Sequence, residues 1–512
     1  MAVNAPDRRR VLRTGLGAAV TAGLGLSLTE QPAPATVRPA PARPDVRRPA
    51  DVDNRAWRDL RDRVRGPLFR PSDSNYWALS LPANHRFADR HPAAVLCPRT
   101  TGDITEAIAW VRRQRIPVAV RCGGHNYAGY SSTTGLLVHL AGMRKVEVDV
   151  GALTVTVQAG ARNSEVYEAL KNTDLLLPGS RCPDVGMSGL VLGGGIGMAT
   201  RRYGLTCDSL LRTTVATSEG EVLMCDERRD ADLFWACRGG AGGNFGINTS
   251  FTFRLRPVAG VTVYDLAWEW KDAAAVLAAA AEVTGASGET AQDLSCQFGL
   301  RTAGDGTRVY AQGLYFGAQD DLERALRPLL KAAAPTRRFI EQRRVWPGMS
   351  HFHETPSGNP YLARSIVSKR HLTSGVIDRI VGHLDDWRPR SRASRSTVTF
   401  FAMGGKDAAP APGDTAYVHR DARFILALTT YWSDTDPGPV SDHNTTWLGR
   451  LYDDLSKDLG TAAYQNFPDP ELERWWSAYY GSNYNRLVKI KEDYDPSGLF
   501  RYPQAVRDRP GS

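Results

Sequence analysis

The sequence lacks the patterns that mark several common classes of protein. None of its seven cysteines forms a CxxC pair, which disfavours a zinc site or a dithiol redox motif. Eight arginines and only three acidic residues fall within residues 1–50, so this segment carries more than half of the net charge of +9. No basic run with interleaved aromatic residues follows it, and a nucleic-acid partner is therefore not expected. The apolar run at 14–28 is too short and too weak for a stable membrane span.

The N-terminal residues have the pattern of an export signal. Arg8-Arg9-Arg10 precedes the mild apolar run, and the small-residue sequence Ala33-Pro34-Ala35 is a plausible cleavage site. The paired arginines resemble a twin-arginine (Tat) signal, which is typical of proteins exported in a folded state. We therefore predict a signal peptide at 1–35, a disordered spacer at 36–54 and a secreted, extracytoplasmic protein with no membrane attachment after export. The alternative is a basic tail that is not removed.

The rest of the chain has three textures. Residues 55–257 alternate short strand-like and helix-like stretches separated by glycine clusters. Residues 258–454 lack such clusters, and alanine-rich helical runs alternate there with strands, as in an antiparallel sheet with helices on one face. We predict an α+β fold with a cofactor domain at 55–257, a substrate domain at 258–454, and a C-terminal segment at 455–512 that completes the cofactor domain. The substrate is expected between the domains.

Two glycine-framed side chains, His125 and Cys182, are the most informative feature of the first domain. Three glycine clusters lie in the same domain, and glycine lets backbone N–H groups approach a phosphate closely. The cluster at 193–197 does not fit the G-x-G-x-x-G spacing of nicotinamide-binding folds. An imidazole and a thiol on such loops suit a large phosphorylated cofactor that is fixed covalently, and the best candidate is FAD.

Several motifs together resemble a known family. They are 121–125 (RCGGH), 182–186 (CPDVG), 193–197 (GGGIG) with 202–204 (RYG), 239–246 (GGAGGNFG) and 464–467 (YQNF). The chain is similar over roughly 55–505 to berberine-bridge-enzyme-like FAD oxidases, which belong to the vanillyl-alcohol-oxidase flavoproteins with a PCMH-type FAD-binding domain. The resemblance implies a two-part FAD domain and an α+β substrate domain.

The resemblance also implies which residues hold the cofactor. In such enzymes a histidine binds the flavin 8α-methyl group and a cysteine binds C6, and these positions correspond to His125 and Cys182. The residues implied to bind FAD are Arg121, Gly123, Gly124, His125, Asn126, Cys182, Val185, Gly186, Ser188, Gly189, Gly193, Gly194, Gly195, Gly197, Tyr203, Gly204, Gly243, Asn244, Phe245, Gly246 and Asn466.

The catalytic base departs from the pattern of sugar-oxidising relatives. Those relatives often have Tyr-x-Asn-Tyr near the C-terminus, with the second tyrosine as base, but this chain has Phe467 there. A phenyl ring cannot accept a proton, so Tyr464 is the predicted catalytic residue. Tyr464 could instead bind the cofactor without catalysis, and another group could be the base. The other phenols considered are Tyr127, Tyr310, Tyr315, Tyr417 and Tyr431.

The expected activity is that of an oxidase. A valine at the position of Val185 leaves room for dioxygen in relatives, which favours O2 as electron acceptor and H2O2 as product. The small-molecule substrate is expected to be a sugar, oligosaccharide or secondary metabolite that loses hydride from a hydroxyl-bearing carbon. Two alternatives stay open: a dehydrogenase with another acceptor, and a flavin-carrying binding protein without turnover, which Phe467 suggests.

A metal site is not expected. His351 and His353 alternate and would lie on one face of a strand, but no third ligand accompanies them.

Overall fold

The computed structural model describes residues 47–285, 292–353 and 358–507. The predicted signal peptide and most of the predicted spacer lie outside these ranges. The last spacer residues are part of the fold, because Pro49–Asp51 form a 3-10 turn and Val52 is buried in the core. The folded part therefore begins a few residues earlier than the sequence suggested. Within the described ranges, no helix combines the length and apolar character needed to cross a membrane.

Helices and strands alternate along most of the described residues. The helices, in chain order, are α1 (Asn54–Arg63), α2 (Tyr76–Ser80), α3 (Thr101–Gln114), α4 (Asn163–Leu170), α5 (Met187–Leu192), α6 (Thr200–Tyr203), α7 (Ala231–Ala236), α8 (Ala273–Gly285), α9 (Gln319–Ala325), α10 (Arg327–Ala332), α11 (Val345–Ser350), α12 (Ser374–Asp386), α13 (Gly438–Leu459), α14 (Trp475–Tyr480) and α15 (Tyr484–Tyr494). The strands are β1 (Leu68–Phe69), β2 (Ala94–Leu96), β3 (Val118–Arg121), β4 (Leu136–His139), β5 (Val146–Asp149), β6 (Thr154–Gln158), β7 (Leu175–Leu176), β8 (Leu210–Ala216), β9 (Val222–Cys225), β10 (Ile247–Arg254), β11 (Arg256–Pro257), β12 (Gly260–Trp268), β13 (Gln297–Ala303), β14 (Gly306–Tyr315), β15 (Arg337–Arg344), β16 (Tyr361–Ser368), β17 (Arg395–Ala402) and β18 (Phe424–Tyr431).

Two larger sheets and one two-stranded sheet, formed by β7 and β11, make up the region up to residue 257. In the first, of order β1-β2-β4-β3, β4 pairs parallel with both β2 and β3. Helix α3 connects β2 to β3; it begins at a capping box in which Thr100 and Asp103 each satisfy a backbone N–H of the other. The second sheet has five antiparallel strands in the order β5-β6-β10-β8-β9. Strand β3 ends at Arg121, so the first glycine loop begins directly at the end of a strand of this sheet.

A seven-stranded antiparallel sheet forms the region after residue 257, in the order β15-β12-β14-β13-β17-β18-β16. Side chains alternate between its two faces. Val398 and Phe400 of β17 pack with α8, α12 and α13 in one apolar core, so the helices cover this face. Thr397 and Thr399 lie on the opposite face. The predicted antiparallel sheet with helices on one side, and with it the α+β fold class, is confirmed.

The C-terminal helices pack back onto the first region. Ser218 Oγ donates a hydrogen bond to the Tyr494 carbonyl over 3.1 Å. The buried Lys491 ammonium donates to the Asp495 carboxylate at 2.5 Å, to the Phe500 carbonyl at 2.8 Å and to the Asn244 carbonyl. A buried charge is tolerated only when it is paired in this way. The pair therefore fastens α15 to the glycine cluster at 239–246.

Candidate active site

A cavity of about 440 Å³ lies where the glycine loops, the C-terminal segment and the polar face of the seven-stranded sheet meet. Its size is within the usual range of ligand and cofactor sites, roughly 300–1,000 Å³. Most of the residues predicted for cofactor binding line it, together with the predicted catalytic residue. They are Gly123, Gly124, His125, Asn126, Cys182, Val185, Gly186, Ser188, Gly189, Gly197, Gly243, Gly246, Tyr464 and Asn466. Side chains 57 positions apart in the sequence thus come to one cavity.

The remaining predicted residues lie outside the lining of the cavity. They are Arg121, Gly193, Gly194, Gly195, Tyr203, Gly204, Asn244 and Phe245. A motif marks a whole loop, and only part of a loop can face a cavity. Sequence alone did not separate the two sets.

Arg121 supports the first glycine loop through hydrogen bonds to neighbouring segments. Its buried guanidinium donates to the carbonyls of Leu79, Ser80 and Leu81 at 2.8–3.1 Å. It also donates to the Ser131 carbonyl at 3.0 Å and to Ser132 Oγ at 2.7 Å. Burial lowers the pKa of Arg121 to about 10, which still leaves it charged at neutral pH. Arg121 therefore ties three chain segments together beside His125.

Gly193 and Asn244 support the site in different ways. A Cβ on Gly193 would lie 2.0 Å from Asn466 Oδ1, so only glycine lets Asn466 reach the cavity from behind α5. The Asn244 amide donates to the Gly240 carbonyl at 2.9 Å and accepts from the Val506 N–H at 2.9 Å. Asn244 thus holds the third glycine loop against the C-terminal segment.

The two loops with the imidazole and the thiol are packed backbone to backbone. A Cβ on Gly123 would lie 2.5 Å from the Gly186 nitrogen, and one on Gly186 would lie 2.3 Å from Cys122 Sγ. The second loop is also fastened to the start of α4, where Asn163 Nδ2 donates to the Cys182 carbonyl at 2.9 Å. The loops of His125 and Cys182 are therefore held as one rigid unit.

The ionisation of both side chains is governed mainly by burial. Burial lowers the pKa of His125 to about 4, with Asp184 opposing the shift, so the imidazole is neutral at physiological pH. Burial raises the pKa of the Cys182 thiol, although backbone N–H groups of Asp184 and Val185 act in the opposite direction. A neutral imidazole and a protonated thiol thus face the cavity at neutral pH.

The residues present fit a bound dinucleotide. The described residues that line the cavity include no aspartate or glutamate but three arginines, Arg181, Arg395 and Arg501, which suits a pyrophosphate. The buried Ser131 Oγ has no hydrogen-bond partner within the described ranges and is available to a phosphate oxygen. A Cβ on Gly189 would meet nothing within 4 Å, so the cavity extends over α5 at this residue.

Tyr464 lies at the end of the cavity nearest Phe467. Its buried hydroxyl oxygen accepts hydrogen bonds from the Gly195 N–H at 3.0 Å and from Asn466 Nδ2 at 3.2 Å. Burial raises the pKa of this phenol, whereas the two donors favour its anion. The ring of Phe467 is 5.0 Å from the Tyr464 ring and stacks at 5.0 Å, 1° from parallel, on Tyr127. Two phenols therefore flank the phenylalanine.

The sheet contributes residues that the sequence reasoning missed. Gln297, Tyr361, Arg395 and Phe401 line the cavity from three strands, and Tyr431, which could not be placed from sequence, lies among them. The paired strands put Tyr361 opposite Tyr431, and Tyr431 opposite Arg395. Polar residues at every second position of β17 were the available signal, but strand order is needed to bring the rows together.

The other phenols and the paired histidines lie elsewhere. Tyr310, Tyr315 and Tyr417 do not line the cavity. The expectation that His351 and His353 lie on a strand is wrong, because helix α11 ends there and His351 caps it. His351 stacks on Phe339 and His353 on Tyr167. No group of potential metal ligands occurs among the described residues.

Comparison with known families defines the class of this site. A family model described as an FAD binding domain matches residues 92–226, and one described as berberine and berberine like matches 463–507. The chain is 31% identical over 430 residues to YgaK, an uncharacterized FAD-linked oxidoreductase of Bacillus subtilis, covering 82% of this chain and 92% of the relative. The protein is an FAD-binding oxidoreductase.

Further relatives specify the family. Glucooligosaccharide oxidase of Sarocladium strictum is 28% identical, over 88% of this chain and 95% of its own. The solved structure of a chitooligosaccharide oxidase superposes with a TM-score of 0.78 at 25% identity, over 89% of this chain and all of the other. A glucooligosaccharide oxidase structure from Acremonium strictum, described as carrying a 6-S-cysteinyl, 8α-N1-histidyl FAD, superposes with a TM-score of 0.78 at 25% identity, over 87% of this chain and 97% of the other. The chain belongs to the berberine-bridge-enzyme-like FAD-linked oxidoreductases, and the PCMH-type fold expected from the motifs is confirmed.

Proposed function

We propose that the protein is an exported oxidase with FAD attached to both His125 and Cys182. It removes hydride from a hydroxyl-bearing carbon of a sugar, oligosaccharide or secondary metabolite and passes the electrons to O2. One observation carries the proposal: an imidazole and a thiol on two closely packed glycine loops line the same cavity, and the described residues of its lining include no carboxylate. The relative with a 6-S-cysteinyl, 8α-N1-histidyl FAD supports the assignment.

The two tethers have suitable chemistry. His125 is neutral at physiological pH because burial lowers its pKa to about 4, and a neutral ring nitrogen is a nucleophile. Cys182 reacts as the thiolate, for which the N–H groups of Asp184 and Val185 are stabilising contacts. Because both loops are rigid, two bonds to His125 and Cys182 would hold the cofactor firmly in the cavity that also borders the polar face of the sheet.

The reaction removes a hydride and a proton from the alcohol, and the bound FAD supplies the hydride acceptor. We assign the proton to the Tyr464 oxygen in its phenolate form, which requires that Tyr464 first release its own proton to solvent; the N–H donors of Gly195 and Asn466 stabilise that anion. Val185, which lines the cavity with only a small side chain, leaves space for O2 beside the ring. Phe467 favours one other function, a flavin-carrying binding protein without turnover.

The attachment is tested by the intact mass of the acid-denatured protein. We expect the mass of one FAD added to wild type, retained in His125→Ala and in Cys182→Ala, and lost only in the double variant. Cys122→Ala is the matched control, since this half-buried thiol lies on the His125 loop and also lines the cavity but donates to the Ala161 carbonyl. An unmodified wild-type mass would refute covalent attachment.

Turnover and acceptor are tested separately. Anaerobic bleaching of the flavin by a hydroxylated substrate, followed by fast reoxidation in air with formation of peroxide, is the expected result. Slow reoxidation would identify a dehydrogenase, and a flavin that no substrate bleaches would leave the binding protein.

Export is tested with the natural leader in a Tat-competent bacterium. We expect yellow, processed protein outside the cytoplasm, and its retention inside when Arg8, Arg9 and Arg10 are all replaced by lysine. Equal export of both forms would contradict the twin-arginine assignment.

A further inference from the structure

Arg395 begins strand β17 on the face of the sheet that looks into the cavity. In the strand register it stands opposite Tyr431, which in turn stands opposite Tyr361. Its guanidinium carbon lies 3.9 Å from the centroid of the Tyr431 ring. Stacking on an aromatic ring holds a guanidinium in place and leaves its edge free for hydrogen bonds.

Arg395 lacks the carboxylate that comparable arginines have. Arg364 pairs with Asp469 at 2.7 Å and Arg420 with Asp208 at 2.8 Å, and both pairs are buried. Among the described residues, Arg395 forms no ion pair, and its buried Nε atom has no hydrogen-bond partner. The described lining of the cavity contains no acidic side chain that could reach it. A cation held without a partner in a partly desolvated site is suited to an anionic ligand.

A row of rings separates Arg395 from the reacting end of the cavity. Phe467 stacks on Tyr127 at 5.0 Å, Tyr127 meets Tyr361 at 5.2 Å, and Tyr361 meets Tyr431 at 5.5 Å. The cation stacks on the last of these rings, so three ring contacts lie between Phe467 and the ring that holds Arg395, and a fourth contact joins Phe467 to Tyr464. It also comes from the sheet, whereas the glycine loops that suit a pyrophosphate come from the cofactor region.

We propose that Arg395 binds a carboxylate of the substrate, at the end remote from the hydroxyl that is oxidised. The preferred substrate class is then an acidic saccharide of at least two rings, such as a disaccharide that ends in a uronic acid. The inference rests on the proposed oxidase function, whose substrate class it narrows.

The test compares two ligands that differ only in the carboxylate. Cellobiose and cellobiouronic acid, oxidised at C6 of its non-reducing ring, are titrated into the holoenzyme by calorimetry, which needs no turnover. Wild type is expected to bind the acid about tenfold to a hundredfold more tightly, as for one charge-assisted bidentate contact. Arg395→Gln should abolish the preference and keep the affinity for cellobiose. Arg301→Gln is the matched control, because Arg301 lies on the same face of β13 but has Asp305 as partner.

The outcomes separate this inference from the function on which it rests. Equal affinity of wild type for the two probes, including no measurable binding of either, overturns the inference. So does loss of FAD mass in Arg395→Gln, because Arg395 would then serve the cofactor. A preference for the acid that depends on Arg395, without bleaching of the flavin, would support the site and contradict the oxidase.

Discussion

The two walls of the cavity are built from different parts of the amino acid. On the cofactor side the wall is largely backbone, because the glycines at 123, 186 and 189 bring the chain to the surface of the cavity. On the sheet side it consists of side chains such as Gln297 and Arg395, which project from successive strands. A backbone wall has the same chemistry whatever the neighbouring sequence, whereas a side-chain wall changes with each substitution.

This difference predicts which of the two walls tolerates substitution. The cofactor wall needs close approach of two loops, and space excludes a side chain at Gly123 and at Gly186, where the loops meet. The sheet wall rests on an apolar core below it, so its upper residues can vary without loss of the fold. Specificity is therefore expected on the sheet, and attachment of FAD on the loops.

The largest effect is expected for Tyr464→Phe, on the cofactor side. Removing a proton acceptor in contact with the reacting group costs about 10²–10⁴-fold in rate. Anaerobic stopped-flow reduction of the flavin measures it, with a substrate found by its peroxide production. Tyr431→Phe is the same chemical change on the sheet wall and should cost far less. A normal rate in Tyr464→Phe with a large loss in Tyr127→Phe would move the base to Tyr127.

The second-largest effect is expected for the ion pair that links the two walls. Arg364 of β16 pairs with Asp469 of the C-terminal segment at 2.7 Å, and only 9% and 3% of the two side chains are exposed. Arg364→Met leaves a buried carboxylate without its partner and should lower the free energy of unfolding by about 3–5 kcal/mol. Urea unfolding followed by tryptophan fluorescence measures the loss.

The control for this joint is Arg379→Met. Arg379 lies on α12 and pairs with Asp454 at 3.4 Å and with Asp458, but its side chain is 37% exposed. Removal of an exposed pair is expected to cost at most about 1 kcal/mol. Equal losses in the two variants would mean that the Arg364 pair does not hold the walls together.

Two glycine substitutions sharpen the contrast within the cofactor wall. Gly186→Ala places a Cβ 2.3 Å from Cys122 Sγ and should destabilise the fold by about 1–3 kcal/mol, as overpacking does. A Cβ on Gly189 meets nothing within 4 Å, so Gly189→Ala should keep the fold and instead narrow the cavity. Thermal unfolding and the flavin-to-protein ratio distinguish the two. Full flavin content in Gly189→Ala would place the cofactor away from α5.

The cofactor wall could be predicted from sequence because each of its loops is a contiguous motif. Gly123, His125 and Cys182 lie in contiguous motifs, and a motif names its residues in order. What the motif does not show is direction: Arg121 and Asn244 belong to the same motifs, yet their side chains bind carbonyls and N–H groups behind the loops.

The sheet wall could not be predicted, for a physical reason. Arg395, Tyr431 and Tyr361 become neighbours only through the pairing of three strands whose order in the sheet, β17-β18-β16, differs from their order in the chain. The period of two shows that alternate residues share a face, but not which strands pair. Spacing alone also failed at His351, because its alternation with His353 suggested a strand, whereas helix α11 ends there.

The smallest expected effect concerns acid, and it again differs between the regions. His139 of β4 is buried, and burial lowers its pKa to about 3, with Arg121 contributing. Between this value and the ordinary histidine pKa of about 6.5, His139 is protonated in the unfolded chain but neutral in the folded protein. The contribution of His139 to the free energy of unfolding is therefore complete above about pH 6.5 and is lost as the pH falls toward 3. In the substrate region His383 instead faces the carboxylate of Asp454 at 3.1 Å.

His139→Asn, whose amide oxygen can still accept from the Ala141 N–H, should reduce the slope of unfolding free energy between pH 6 and 4 by up to about 1.4 kcal/mol per pH unit. Urea unfolding across this range measures the slope. An unchanged slope in His139→Asn would contradict this assignment.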